Sequence, residues 1–145
     1  TLNIQYKNEL PLNLFVEILV EGNKQKVNIN KMVAISYRES HFKNIIGHTG
    51  NDIGFFQINR VHVGKNERFE DYYDMHKNVA KGISIYLSAE RKAKGNERLT
   101  LAYYNAGENS SLKNYTFKQW KDYVDFIIAL SKVSDKADRE KIIIK

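Results

Sequence analysis

The chain has 145 residues, of which 42% are hydrophobic and 28% charged, with one proline and no cysteine. This composition predicts a single folded domain over residues 1–145 and excludes disordered, fibrous and disulfide-stabilised classes of protein. The net charge of +6 favours an anionic partner, but the lysines are scattered and no basic-aromatic motif indicates a nucleic-acid site. No apolar run approaches the roughly 18 residues that a transmembrane helix needs.

Apolar periodicity predicts the first two helices. Residues 1–9 are polar and are expected to form a peripheral arm. Pro11 suits the first turn of a helix whose apolar stripe ends near Gly22. A second helix, capped by Asn28 or Asn30, carries Glu39 at the border of its apolar face.

Glu39 is the candidate acid. Burial at the border of an apolar face should raise the pKa of its carboxyl, as a general acid working near neutral pH requires. A structural ion pair with Arg38 or Lys43 is the alternative, and on geometry alone it is the favoured one.

The pattern of residues 43–94 predicts further helices and one non-helical segment. Turn residues are dense in residues 43–53, which predicts a short irregular or β-hairpin excursion beside the glutamate helix. Residues 60–73 suggest a short helix with a loop. A helix follows over residues 76–94, with Gly82 on its apolar stripe, where a second helix could approach closely. The fold class is therefore mainly α.

Two further helices complete the predicted set. One has its core face on Leu99, Ala102, Tyr103 and Ala106 and stops at Gly107. The last is an amphipathic helix over residues 117–131, and residues 134–145 are expected to be peripheral.

The histidines do not predict a metal centre. They show no metal-ligand spacing and no helical HExxH motif, and they are His41, His48, His62 and His76. The nucleophile-elbow, P-loop and dinucleotide motifs are also missing from the sequence. We therefore expect neither a metal nor a cofactor.

Five motifs in order carry a family resemblance. Residues 39–40 (ES), then residues 54–58 (GFFQI) with Gln57 18 positions after Glu39, resemble the first two motifs of the soluble lytic transglycosylases, "ES" and "GLMQI". Residues 78–87 are similar to the family helix pattern "N…G…YL", and residues 102–107 (AYYNAG) to "AAYNAG". Tyr123 stands where these proteins carry a "YV" tyrosine. The resemblance spans about residues 12–130.

This resemblance implies a lysozyme-like fold with the glutamate helix at its centre and a groove across it. It implies that Glu39 alone serves first as acid and then as base. The bond cleaved is the one between N-acetylmuramic acid and N-acetylglucosamine, and the product carries a 1,6-anhydro ring. The expected partner is the peptidoglycan glycan strand, and the expected state is a monomer.

The resemblance also implies a location. It places the protein in the cell envelope, periplasmic or extracellular, and the motif style is closest to small transglycosylases of secretion and conjugation systems. A phage particle would use such a domain too. The chain begins without a methionine or a signal-peptide pattern, so we expect that a leader or flanking domain was removed.

The other matched positions are expected to bind substrate. Gln57 and Asn105 have amides suited to sugar hydroxyls and N-acetyl groups, although both could instead tie down loop backbone. Tyr104 offers its ring to a sugar, and Tyr123 would hold the Glu39 carboxyl, with core packing as its alternative role. The candidate set also contains Phe56, and His48 where many family members carry a serine.

Asp52 keeps a second enzyme class open. The run from Asp52 to Asn59 is similar to a segment of animal-type lysozymes, in which an aspartate is the second catalytic carboxylate. A hydrolytic muramidase using Asp52 is therefore one alternative, although an Asx turn explains the residue more simply. A non-catalytic wall-binding module on the same fold is the other.

Overall fold

The computed structural model describes residues 9–107, 112 and 120–132. The predicted arm up to residue 8, the first residues of the predicted last helix, residues 117–119, and the predicted tail over residues 134–145 lie outside this range. In the described part, the helices are α1 (Leu12–Gln25), α2 (Ile29–Ser40), α3 (Met75–Lys92), α4 (Glu97–Ala106) and α5 (residues 120–132). The mainly helical prediction is confirmed.

Polar side chains cap the first turns of α2, α3 and α4. The Asn28 side chain accepts a hydrogen bond from the Lys31 backbone N–H at the start of α2, as one of the two predicted caps requires. Asp74 and Asn96 cap α3 and α4 in the same way. The pattern predicted each of these helices to within about three residues.

Helix α1 ends two to three residues beyond the stop that the sequence predicts near Gly22 and Asn23. The helix continues to Gln25 and is closed by Lys26 in the left-handed conformation, with φ of 61°. Gly22 is buried inside the helix, and a Cβ there would collide with the Ile29 side chain. The glycine therefore allows α1 and α2 to pack closely.

A two-stranded antiparallel hairpin follows the glutamate helix. Strand β1 (Asp52–Ile53) pairs with β2 (Ile58–Asn59), so that Asp52 faces Asn59 and Ile53 faces Ile58. Ile46 adds one bridge to Ile53. Two short 3-10 helices, Arg60–His62 and Phe69–Tyr73, connect the hairpin to α3.

One hydrophobic core joins these elements around α2. Met32, Ala34 and Ile35 of α2 are fully buried. Around them pack buried residues of the other elements, among them Leu14 and Ile18 of α1, Ile53 and Ile58 of the hairpin, Val79 and Ile83 of α3, Leu101 of α4, and Val124 and Ile127 of α5. Glu39 therefore lies in the last turn of a helix whose other residues are largely buried. None of the described helices combines the length and apolarity that crossing a bilayer requires.

Gly82 allows a close contact, but its neighbour differs from the one predicted. A Cβ on this glycine would lie 2.6–2.8 Å from atoms of the Phe56 side chain. The partner is thus the segment between the hairpin strands rather than a second helix. Through this contact, the hairpin packs against α3.

Candidate active site

A cavity of about 530 Å³ opens beside the end of α2. Its walls come from α2, the hairpin, the first 3-10 helix, α3 and the end of α4. The lining residues are Glu39, Asp52, Phe56, Gln57, Ile58, Asn59, Val61, His62, Ile85, Tyr104, Asn105, Ala106 and Gly107. Six of the eight predicted site residues are among them.

Glu39 stands at the point where α2 breaks. The two residues after the helix, His41 and Phe42, adopt positive φ angles of 53° and 62°. This left-handed backbone ends α2 one residue beyond Glu39. The carboxyl is half-buried against the cavity wall. Burial raises its pKa to about 7, and the charge of Asp52 adds to this rise, whereas the Tyr123 hydrogen bond and the Arg38 charge oppose it.

Tyr123, on α5, holds the Glu39 carboxyl by a hydrogen bond. Its phenol hydroxyl donates a hydrogen bond of 2.9 Å to Oε1 of Glu39, across 84 residues of sequence. The ring is buried on α5, so packing fixes the direction of the hydroxyl. Burial, followed by the charge of Glu39, raises the pKa of Tyr123 well above its ordinary value. The tyrosine therefore remains a donor over the working pH range.

The described residues do not contain the ion pair that was the alternative interpretation of Glu39. Neither Arg38 nor Lys43 forms a salt bridge with Glu39 among the described residues. The Arg38 guanidinium instead lies 5.5 Å from the ring centroids of both Tyr123 and Phe126. It lowers the pKa of Glu39 by its charge alone, so the carboxyl remains available to a ligand.

Two serines of α2 attach the hairpin segment to the glutamate helix. The hydroxyls of Ser36 and Ser40 both donate to the backbone carbonyl of Phe55, at 2.9 and 2.8 Å. Both serines are buried. Ser40 of the ES motif is thus a structural residue that sets the distance between Glu39 and the hairpin.

Asn78 holds the same segment from α3. Its Oδ1 accepts from the Phe56 backbone N–H at 2.8 Å, and its Nδ2 donates to the carbonyls of Ile53 and Tyr72, both at 2.9 Å. Gly54 passes directly over this amide with φ of 81°, and a Cβ there would collide with it. Asn78 is fully buried, so the loss of this side chain would leave buried backbone groups unpaired.

Gln57 closes the turn that carries it. Its Nε2 donates to the carbonyls of Ile45 at 2.9 Å and Gly54 at 3.0 Å, while Oε1 lies over Gly47, where a Cβ would strike it. Both N–H donors of the amide are thus used by the loop, as the structural alternative anticipated. Gln57 also lines the cavity, where Oε1 is its remaining polar atom.

Asp52 lies in the cavity wall with its own partner. Its Oδ1 accepts a hydrogen bond of 3.0 Å from Nδ2 of Asn59, its neighbour across the hairpin. The Asn59 Oδ1 accepts from the Val61 backbone N–H at 3.1 Å. Asp52 is half-buried, and its charge raises the pKa of Glu39.

The remaining predicted residues divide into two groups. Tyr104 and Asn105 line the cavity at the end of α4, and burial raises the pKa of Tyr104 well above its ordinary value, with a further rise from the charge of Glu39. Phe56 contributes a wall, but its ring is almost wholly buried. His48 lies on an exposed turn and is not among the residues that line the cavity.

Sequence reasoning missed part of the wall. The cavity is also lined by Val61, His62, Ile85 and Gly107. Only two of these four have a sequence pattern that could have identified them. Gly107 ends a motif, and Ile85 lies on α3 close to the Gly82 stripe. Val61 and His62 lie in a three-residue 3-10 helix, which is too short to produce a periodic pattern. Over the described residues, no group of three or more potential ligands is placed to hold a metal ion.

Comparison with known proteins identifies the family. A search of curated proteins finds no match to the chain. The family model described as the transglycosylase SLT domain matches residues 17–127. That range contains Glu39, the hairpin, the Asn78 anchor and Tyr123, and it covers well over half of the 145 residues. The chain therefore belongs to the transglycosylase SLT family, whose domain acts on peptidoglycan, and it has the lysozyme-like fold.

Proposed function

We propose that the protein is a peptidoglycan lytic transglycosylase. It cleaves the β-1,4 bond between N-acetylmuramic acid and N-acetylglucosamine, and Glu39 is its single acid and base. One observation carries the proposal: a carboxyl with a pKa of about 7 faces an open cavity and is oriented by the Tyr123 hydroxyl. A group with that pKa is able to give and to take a proton near neutral pH.

The reaction follows from two proton transfers at one carboxyl. Protonated Glu39 donates its proton to the glycosidic oxygen, the bond from that oxygen to C1 of the muramic acid breaks, and N-acetylglucosamine leaves with the proton. The resulting carboxylate takes the proton of the muramic C6 hydroxyl, and O6 bonds to C1. The 1,6-anhydro ring forms, Glu39 regains its proton, and no water is consumed.

The other cavity residues are assigned supporting roles. Tyr104 contributes a ring against which a sugar packs, and Asn105 contributes an amide at the same helix end. Gln57 offers Oε1 to a sugar hydroxyl, since its N–H groups are bonded to the loop. Tyr123 is a positioning residue, because it acts through Glu39. Phe56 shapes the wall, and His48 is left without a role in this cavity.

A hydrolytic muramidase is the second candidate. It is favoured by one observation, that Asp52 lines the same cavity as Glu39 and that its charge raises the pKa of the Glu39 carboxyl. In that mechanism Asp52 would assist water or stabilise the oxocarbenium-like centre. We rank it second because Asp52 is bonded to Asn59 across the hairpin, an arrangement that serves the structure as well.

A non-catalytic wall-binding module is ranked third. Such a module would not require a carboxyl held by a buried tyrosine at a pKa near 7. Of the possible settings, we propose the cell envelope, since the substrate lies there, and a secretion, conjugation or phage assembly as the context. We propose that the enzyme acts as a monomer.

Two isosteric variants test the proposal. Glu39→Gln should reduce release of soluble fragments from purified peptidoglycan by at least about 100-fold, the usual contribution of an acid–base residue. Asp52→Asn, which keeps an oxygen for Asn59, should cost less than about tenfold, since no proton transfer depends on it. Circular dichroism verifies the fold of both. Near-normal turnover by the folded Glu39→Gln protein would exclude the proposal, and a loss with Asp52→Asn as large as that of Glu39→Gln would favour the hydrolase.

A further inference from the structure

Two further cavities lie beside the Glu39 cavity along α3. A second cavity of about 200 Å³ shares His62, Ile85, Tyr104 and Gly107 with the Glu39 cavity. A third, of about 490 Å³, shares Lys81 and Ser84 with the second. The three cavities therefore lie side by side along α3, and we call the second and third together the side groove.

One face of α3 forms the floor of the side groove. Lys81, Ser84, Ile85 and Ser88 follow each other at helical spacing and line the second cavity. Lys81 lies four residues before Ile85, about 6 Å along the helix axis from a residue of the Glu39 cavity. Lys81 is therefore about one helical turn from the wall of the Glu39 cavity.

Lys81 is a cation that lines both cavities of the side groove. Its cationic neighbours at the outer end are paired: Lys77 with Glu67 at 2.6 Å, and His76 with Glu17 at 2.5 Å. The Asp74 carboxylate also lines this cavity, and its Oδ2 accepts a hydrogen bond from the Lys77 backbone N–H. Lys81 has no salt bridge among the described residues. Its ammonium lies 5.8 Å from the Tyr72 ring centroid, which holds it at the groove wall.

We propose that Lys81 binds a carboxylate carried by the muramic acid substituent of the glycan, an inference that rests on the proposed function. A glycan strand is branched at each muramic acid, whose lactyl ether bears a peptide with carboxylates. The side groove gives such a branch a path past Tyr104. The ammonium of Lys81, a half-buried residue, would select an anionic branch over a neutral one by a charge-assisted hydrogen bond. Lys81 is thereby a specificity-determining residue outside the acid–base site.

Binding without turnover tests this most directly. In a Glu39→Gln background, the affinity for soluble glycan strands is measured by calorimetry, with and without Lys81→Gln. The matched control is Lys24→Gln, which removes the same charge from an exposed position on α1. Three strands are compared: with free stem carboxylates, with those carboxylates amidated, and with the stems removed so that the lactyl carboxylate is exposed.

Lys81→Gln should weaken binding to a carboxylate-bearing strand about tenfold, the loss expected for one hydrogen bond to a charged group. Lys81→Arg should restore most of the affinity, and Lys24→Gln should leave it unchanged. A Lys81 effect that amidation abolishes assigns the stem carboxylate, and one confined to stem-free strands assigns the lactyl carboxylate.

Other results would overturn the proposal. An equal Lys81 effect on free and amidated strands would exclude carboxylate recognition, as would no effect on any strand. A protein that binds none of the strands would overturn this inference together with the proposed function. Binding that depends on Lys81, in a wild-type protein that forms no 1,6-anhydro product, would exclude the proposed function alone.

Discussion

Glu39 owes its chemistry to two opposing influences at the residue scale. Burial disfavours the carboxylate, and the Tyr123 hydroxyl favours it. The outcome is a pKa of about 7, between the value of an exposed glutamate and that of a fully buried, unpartnered one. The same hydrogen bond fixes the orientation of the carboxyl from which, in the proposed mechanism, the proton is delivered.

Removing the Tyr123 hydroxyl should move the pH profile in a defined direction. Because the hydrogen bond lowers the pKa of Glu39, Tyr123→Phe should raise it, so activity should persist to higher pH as the acid stays protonated. Turnover at the optimum should fall about tenfold because the carboxyl loses its orientation. The measurement is kcat/KM against pH.

The control for this variant is Tyr73→Phe, which removes a hydroxyl from a ring that is 40% exposed. It should leave the profile unchanged. A shift of the Tyr123→Phe profile to lower pH, or none, would contradict the role assigned to the hydroxyl.

The raised pKa of Glu39 also predicts a pH-dependent stability difference. The folded protein binds this proton more tightly than the unfolded chain, so stability is lost as pH rises from about 4.5 to about 7. Glu39→Gln cannot lose that proton. The variant should equal the wild type below pH 4 and exceed it above pH 7 by up to roughly 3 kcal/mol.

Urea unfolding of both proteins across this pH range measures the difference. Other titrating groups cancel, since they are common to the two proteins. A Glu39→Gln protein that is no more stable than the wild type at pH 8 would show that the carboxyl pays no desolvation cost.

At the scale of elements, the hairpin segment is fixed from two sides. Ser36 and Ser40 of α2 hold the Phe55 carbonyl, and Asn78 of α3 holds the backbone on either side of Gly54. Gly82 lets the Phe56 side chain pack directly on α3. These contacts place Asp52 and Gln57 in the cavity wall facing Glu39.

Asn78→Ala should therefore weaken both fold and activity. The variant leaves the Phe56 N–H and the Ile53 and Tyr72 carbonyls without this partner in a buried region, at a cost of about 3 kcal/mol or more. Activity should fall further than stability explains, because the hairpin wall loses its position. The measurements are urea unfolding and turnover at a temperature where the variant remains folded.

Asn23→Ala on the exposed side of α1 is the matched control, and it should change stability by less than about 0.5 kcal/mol. If Asn78→Ala proved as stable and as active as Asn23→Ala, the anchoring role of Asn78 would have to be abandoned.

Helices were the predictable elements, for a physical reason. In both α2 and α3, apolar residues recur on one face over three or more turns. The helical period of 3.6 residues can therefore be recognised in the sequence. The hairpin strands have two residues each, too few for an alternating pattern. Only the density of turn residues indicated that the chain leaves the helix there.

The site was predictable only in part. Periodicity identifies Glu39 as a half-buried carboxyl, but its contact with Tyr123 spans 84 residues and was anticipated through the family motif alone. The fixed amide of Gln57 depends on the carbonyls of Ile45 and Gly54, which no residue pattern reveals. His48 was selected by motif position, and a turn carries it to the exposed surface instead.

At the scale of the whole molecule, the charge and the groove suit the same polymer. The net charge of +6 favours approach to an anionic wall, and this attraction should weaken with salt. The neighbouring cavities along α3 offer space for the branched strand that we propose as substrate. That the 145 residues form a single domain stays a prediction.

The central claim is that Glu39 closes a ring on the muramic acid instead of admitting water. The most direct measurement is mass spectrometry of the soluble fragments released from purified peptidoglycan in ¹⁸O-labelled water, with Glu39→Gln as control. We predict fragments that end in 1,6-anhydro-N-acetylmuramic acid, carry no ¹⁸O at that end, and are missing with the variant. Fragments with reducing ends that contain ¹⁸O would contradict it and would identify a hydrolase.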